Sequence, residues 1–189
     1  MYSSQQPKLS ATDLNTSELV ELLQRSAVEQ LTTYHQLKAR DFGSVVTIVT
    51  TDFEAMYAYK HGDYQRCLQL STQNVRTLLH AYVVAHVLTW PEFIQLLDDD
   101  IVSLTSVTLI VNPKSRSNDD NVRITQVTLS LYLMTQSQLK LRHSVTSLAQ
   151  TLDYIKVAQT RHSADSTLNH LTLKLMKRKL LMTIYDAFV

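Results

Sequence analysis

The chain has 189 residues, of which 44% are hydrophobic, enough for one ordinary domain or a short array of helices with a buried core. It contains only two glycines and three prolines, well below the average usage of roughly 7% and 5%, which disfavours β-sandwiches and nucleotide-binding folds because both depend on glycine turns. The formal net charge of +1 provides no global field that would attract nucleic acid or a bilayer.

Cysteine usage and hydropathy indicate the compartment. The single cysteine, Cys67, cannot form an internal disulfide, which suits a reducing environment, and we expect a cytoplasmic protein. The amino terminus lacks the basic-then-apolar pattern of a signal peptide, and no apolar run approaches the ~18 residues that a membrane-spanning helix needs. We therefore predict no membrane span and expect no nucleic-acid partner.

The first predicted helix follows a polar segment. Residues 1–12 are interpreted as a flexible tail ahead of a single all-helical domain over residues 13–189. Asn15 and Glu18 form a capping-box-like start, and the helix that they introduce ends near Arg40.

Two amphipathic helices joined at Gly62 cover about residues 51–79. Glycine adopts the left-handed conformation at a helix end without a Cβ clash, and Asp63 can accept hydrogen bonds from the first N–H groups of the next helix. A stop signal followed at once by a start signal predicts an antiparallel pair. The inner faces predicted from the spacing are Phe53, Met56, Tyr57 and Lys60 on the first helix, and Tyr64, Cys67, Leu68, Ser71 and Val75 on the second.

The segment AMYAYKHGDYQRCL, residues 55–68, resembles the middle of a tetratricopeptide repeat. The shared features are a small residue in the first helix, the turn, and a small residue with an aliphatic one in the second helix: Ala55, Gly62-Asp63-Tyr64, Cys67 and Leu68. Three positions depart from the family's aromatic, leucine and proline: Thr51, Glu54 and Leu79. The resemblance covers roughly one repeat and implies stacked helical hairpins, of which about three are needed for stability. A generic helical hairpin with a glycine turn is the alternative.

Two segments, residues 44–51 and 102–111, are rich in Val, Ile and Thr, which lower helix propensity. Packing overrides propensity, and the chain lacks turn residues to join strands, so we predict helix for both. The intervening residues 80–90 are either a connector or the end of the preceding helix. The next helix begins at Pro91 and ends before the polar loop at 112–121.

Three more helices are predicted over about residues 122–142, 145–161 and 166–187, the last capped by Asp165 or Ser166. The apolar stripe expected for the first of them is Ile124, Val127, Leu131, Met134 and Leu141. About seven helices with mostly short connections predict an all-α fold of stacked antiparallel hairpins, either a TPR-like α-solenoid or an irregular helical bundle.

The acidic cluster Asp98–Asp100 is the one candidate for metal chemistry, since three carboxylates can hold a hard cation such as Mg²⁺. All-helical isoprenoid enzymes use a DDxxD sequence for this purpose, but here Val102 and Ser103 occupy the positions that it would need. Consecutive helical residues also point about 100° apart and do not converge on one ion. A solvated face is therefore expected, and a metal-dependent enzyme built on this cluster is the alternative.

The final helix carries a basic patch beside apolar residues: Lys174, Lys177, Arg178 and Lys179. A basic amphipathic helix can bind acidic lipid, calmodulin or nucleic acid, whereas a capping helix with a solvated outer face is the ordinary interpretation. An adaptor that binds acidic surfaces through this helix is thus a second alternative.

No pattern of catalytic residues, cofactor loop or metal ligands is present, and we predict a non-enzymatic module without a cofactor that binds a partner peptide or helix on its helical surface. Tyrosine and arginine suit such a surface because they combine contact area with hydrogen bonding. The candidate partner-binding residues are Tyr57, Tyr59, Tyr64, Arg66 and Gln73.

Overall fold

The computed structural model describes residues 44–80, 99–111, 124–161 and 166–188. These ranges form six helices: α1 (Ser44–Lys60), α2 (Tyr64–His80), α3 (Asp99–Val111), α4 (Gln126–Lys140), α5 (Val145–Arg161) and α6 (Thr167–Asp186). The predicted all-α class is confirmed for this part of the chain, with six helices where about seven were predicted for the whole. The predicted tail, the first predicted helix, the loop at 112–121 and most of the segment 80–90 lie outside the described residues.

Both segments rich in β-branched residues are helical, as α1 and α3 show. The hydroxyl groups of α3 donate back to carbonyl oxygens one turn earlier, from Thr105 to Ile101 and from Thr108 to Leu104, each at 2.8 Å. Thr105 and Thr108 are thereby buried without an unsatisfied hydroxyl, and packing overrides their low helix propensity.

Helix α4 lies at the centre of the fold and contacts α1, α2, α5 and α6. Every residue from Gln126 to Gln138 is buried. The predicted one-sided stripe on this helix is therefore wrong: Ile124, Val127, Leu131 and Met134 are buried, but so are the residues between them. Leu141 is only half-buried, because the helix ends there and Arg142 takes a positive φ of 52°.

Polar side chains near both ends of α4 form hydrogen bonds within the core. Thr125 caps its first turn by accepting from the Thr128 N–H, and its own N–H donates to Oδ1 of Asn169 at 3.2 Å. Near the other end, Thr151 on α5 donates to Oε1 of Gln138 at 2.8 Å. Such contacts lower the cost of burying part of the Ser, Thr and Gln side chains of α4. In the described part of the chain, Oε1 of Gln126 and Nε2 of Gln136 are buried without a hydrogen-bond partner.

Helix α1 buries a different side from the one predicted. Phe53 and Met56 are in the core, but Tyr57 is 42% exposed and Lys60 is half-buried. Because α1 contacts both α2 and α4, its buried side also takes in Asp52, Ala55 and Ala58. On α2 the prediction is confirmed for Cys67, Leu68, Ser71 and Val75, which are buried, and Tyr64 is half-buried.

Candidate functional site

The turn between α1 and α2 fixes the geometry of the candidate surface. Gly62 has a φ of 77°, and its N–H donates to the Tyr59 carbonyl at 3.1 Å while the Asp63 N–H donates to Ala58 at 2.9 Å. Oδ1 of Asp63 accepts from the Arg66 N–H at 3.1 Å, which caps α2. The predicted glycine stop and aspartate start are thus confirmed.

Two of the predicted partner-binding residues face each other across this turn. The rings of Tyr59 and Tyr64 lie 5.6 Å apart in an edge-to-face arrangement, with an interplanar angle of 65°. Both residues are half-buried, and Tyr59 packs against the core. The two rings therefore mainly stabilise the turn, and only part of each side chain is exposed to solvent.

Tyr57 lies on another side of α1, with its ring centroid 4.0 Å from that of His61. The ring Nδ1 of His61 lies 2.8 Å from the Tyr57 carbonyl oxygen. His61 therefore contacts Tyr57 at both its backbone and its ring. This pair is exposed at the turn end of the hairpin, with the two rings tilted by 32° to each other.

Arg66 joins the two helices on the outside of the hairpin. Its Nη2 lies 3.5 Å from Oε2 of Glu54, and its side chain is 62% exposed. An exposed ion pair of this kind adds little to stability, so the guanidinium can exchange Glu54 for another carboxylate. Gln73 lies seven residues further along α2, on the same face as Arg66.

An open groove of about 460 Å³ runs along the outer face of α2. The lining residues are of polar type apart from one leucine, although carbon atoms contribute most of the surface that faces the groove: Gln65, Leu68, Gln69, Thr72, Gln73, Arg76 and Thr77. Three glutamines spaced four residues apart lie along the groove, because this spacing places side chains on one face of a helix. Of the predicted residues only Gln73 lines the groove, with Arg66 beside it. The repeated glutamine spacing is the sequence signal that could have identified the others.

A buried polar cluster lies beneath the hairpin, where α1 and α2 meet α4. Ser130 donates to Oδ1 of Asp52 at 2.5 Å, and the Asn74 side chain also bonds this carboxyl. Burial raises the pKa of Asp52 to about 7, against the opposing effect of these two hydrogen bonds. The carboxyl is enclosed in protein, and its hydrogen bond to Ser130 links the hairpin to α4.

Cys67 belongs to the same buried interface, as predicted. Its Sγ lies 3.9 Å from the Leu133 carbonyl oxygen. Burial raises the pKa of the Cys67 thiol to about 12, and the Coulombic effect of Asp52 adds to this. The group is therefore a thiol at neutral pH and not a nucleophilic thiolate.

The acidic cluster is divided by the boundary of the described residues. Asp98 lies outside them, while Asp99 and Asp100 are exposed in the first turn of α3. Asp100 forms an ion pair with Lys179 of α6. In the described ranges no three His, Cys, Asp or Glu side chains come together in a way that could hold a metal ion.

The basic patch of the final helix contains both exposed and half-buried side chains. Lys174 and Arg178 are exposed, whereas Lys177 and Lys179 are half-buried. Among the helices that the structure describes, none combines the length and the apolar character needed to cross a bilayer.

Comparison with known proteins gives no assignment. No family model matches the chain, and neither a curated protein nor a solved structure is significantly similar to it.

Proposed function

We propose that this chain is a non-enzymatic interaction module that binds an extended peptide along the outer face of α2. The observation that carries the proposal is the open groove of about 460 Å³ on that helix. A volume of this size matches ligand sites in proteins, and this groove is open along the helix where small-molecule sites are enclosed. An open groove with amide and hydroxyl groups among side-chain carbon atoms suits an extended peptide, whose main chain offers hydrogen bonds and whose side chains offer apolar contact.

The chemistry of the groove favours a peptide with acidic side chains. Glutamine amides both donate and accept, so Gln65, Gln69 and Gln73 can pair with successive peptide groups. Helix α2 contains no acidic residue, and Arg66 and Arg76 place two guanidinium groups along its outer side. Guanidinium groups bind carboxylates in a bidentate manner, which would orient the peptide.

The contacts among helices give this surface a fixed support. Helix α4 packs against both helices of the preceding α1–α2 hairpin and also against α5 and α6. In arrays of stacked hairpins each repeat contacts only its neighbours, whereas here α3 packs on α6, so the described helices fit an irregular bundle better than a solenoid. The tetratricopeptide-like turn at Gly62 is consistent with this proposal.

The proposal is tested by selecting peptides from a random library on the 189-residue chain and measuring their affinity by fluorescence polarisation. Selected sequences should be enriched in Asp and Glu. The double substitution Gln69→Ala, Gln73→Ala should weaken binding at least tenfold, and Arg66→Ala should weaken it and reduce its salt dependence, with roughly tenfold corresponding to about 1.4 kcal/mol.

A matched control is the double substitution Thr146→Ala, Gln150→Ala on the exposed side of α5. This variant should bind selected peptides as tightly as the unmodified chain. Equal affinity in the groove variant and the control variant would overturn the proposed site.

A further inference from the structure

The solvent-facing side of α6 changes character along its length. Exposed residues follow one another there at intervals of three or four positions: Thr167, His170, Lys174, Arg178, Leu181 and Tyr185. The first four are polar or cationic and the last two are apolar. The opposite side of the helix is buried against the rest of the fold through Leu168, Met176 and Leu180.

The end of α6 projects from the bundle and exposes four large apolar side chains, here called the α6 tip: Leu181, Met182, Tyr185 and Phe188, which are 48%, 56%, 69% and 77% exposed. Thr183 and Asp186 are exposed as well, so water surrounds this part of the helix on most sides. The Phe188 N–H donates to the Tyr185 carbonyl at 3.0 Å, which keeps Phe188 in the final turn.

Three cations precede the α6 tip within two helical turns. Lys174, Lys177 and Arg178 form no ion pair with any residue of the described part, unlike Lys179, which pairs with Asp100. Asp186 is the only acidic residue on α6. The helix therefore offers a positive region and an apolar region that follow each other along one exposed side.

We propose that the α6 tip and these three cations dock the protein on an anionic phospholipid surface. An interfacial helix needs apolar side chains that enter the boundary between headgroups and acyl chains, and cations that bind the phosphate groups beside it. Tyrosine is favoured at this level of a bilayer because its ring is apolar and its hydroxyl is wet. All of these groups are present on the same exposed side of α6.

The geometry distinguishes a lipid surface from a protein groove. From Lys174 to Tyr185 the helix rises about 16 Å, so the cations and the apolar residues can meet one plane together when α6 lies along it. A protein groove that enclosed only the α6 tip would leave the three cations in water. The opposite side of α6 stays packed in the bundle, and docking requires no unfolding of the helix.

The test is co-sedimentation of the 189-residue chain with vesicles of phosphatidylcholine alone and of phosphatidylcholine with phosphatidylserine. The chain should bind the anionic vesicles, and binding should fall as salt is raised. Each cation near an anionic surface contributes roughly fivefold, so Lys174→Gln, Lys177→Gln, Arg178→Gln together should weaken binding by about a hundredfold. Leu181→Ser with Tyr185→Ser should weaken binding to the same vesicles without altering the helical circular dichroism.

The matched control replaces exposed apolar residues elsewhere, Val107→Ser on α3 and Val157→Ser on α5. This variant should bind anionic vesicles like the unmodified chain. The proposal is overturned if the chain ignores phosphatidylserine, or if the α6 tip variant binds as well as the control. It is also overturned if the tip variant only converts a dimer into a monomer in light scattering, because a second copy would then be the occupant of the tip.

Discussion

The carboxyl group of Asp52 on α1 accepts a hydrogen bond of 2.5 Å from the hydroxyl of Ser130, in the middle of the central helix α4. In the described part of the chain, Oδ2 of the same carboxyl has no hydrogen-bond partner. A charged carboxylate at this position would be costly because only one of its two oxygens is bonded. The contact therefore couples the packing of the first hairpin on α4 to the protonation of one group.

The free energy of unfolding should fall as the pH rises from about 4 to about 7. The carboxyl of Asp52 loses its proton near pH 3.8 in the unfolded chain and near pH 7 in the folded one, so the folded state binds more protons between these values. The stabilising contribution is complete below about 3.8 and is lost by about 7. Its size is on the order of 4 kcal/mol.

Urea unfolding of the unmodified chain and of Asp52→Asn across this range measures the effect. The variant should show a smaller change of unfolding free energy with pH, because an amide does not titrate there. An identical pH dependence in both proteins would show that Asp52 does not titrate in this interval.

Ser130→Ala should destabilise the protein by about 1 to 3 kcal/mol, and more strongly above pH 7 than below it. The hydrogen bond from Ser130 lowers the pKa of Asp52, so its removal leaves the charged form with less support. Chemical unfolding at both ends of the pH range gives the difference. In the Asp52→Asn background the substitution should lose its pH dependence, and a double-mutant cycle that finds no coupling between the two residues would contradict this account.

Gly62→Ala should cost about 1 to 2 kcal/mol of stability, because a residue with a Cβ is strained in the left-handed region that a φ of 77° requires. No atom lies within 4 Å of the added Cβ, so backbone conformation alone accounts for the cost. Gly62→Asn, which tolerates this region better, should cost less in the same urea titration. Equal stability of the alanine and asparagine variants would argue against the positive φ.

Cys67 should react with a thiol reagent only when the protein unfolds. The side chain is fully buried and its pKa is raised to about 12, so it is neither accessible nor ionised at neutral pH. Labelling followed by mass spectrometry should be slow in buffer and complete in concentrated urea, with a rate that follows the opening of the fold. Rapid labelling in buffer would show that the interface between α2 and α4 opens freely.

The helical class could be predicted from the sequence because glycine and proline are too scarce to build turns between strands. The helix ends marked by Gly62, Asp63 and Ser166 could also be located, since each has a local physical reason to end or begin a helix; Ser166 indeed accepts from the Asn169 N–H. Local signals of this kind do not depend on which elements pack together.

The burial of α4 could not be predicted, because its Ser, Thr and Gln side chains resemble a solvent-facing side until their partners are known. Asp52 illustrates the same difficulty, since its only satisfied oxygen bonds a residue 78 positions away in the sequence. The sequence also suggested tyrosines as binding residues because of their large contact area. In the structure, Tyr59 and Tyr64 pack against each other. The glutamines of α2 were less conspicuous and line the groove.

The enclosure of α4 has a consequence for the assembly of the chain during synthesis. When α4 leaves the ribosome, α1 and α2 can already cover one side of it, but α5 and α6 have yet to be made. The nascent chain must therefore hold a half-covered helix until α5 and α6 arrive and meet residues such as Gln138 and Thr135. A chain truncated after α4 would leave this side of the helix exposed, and we expect chaperones to bind there.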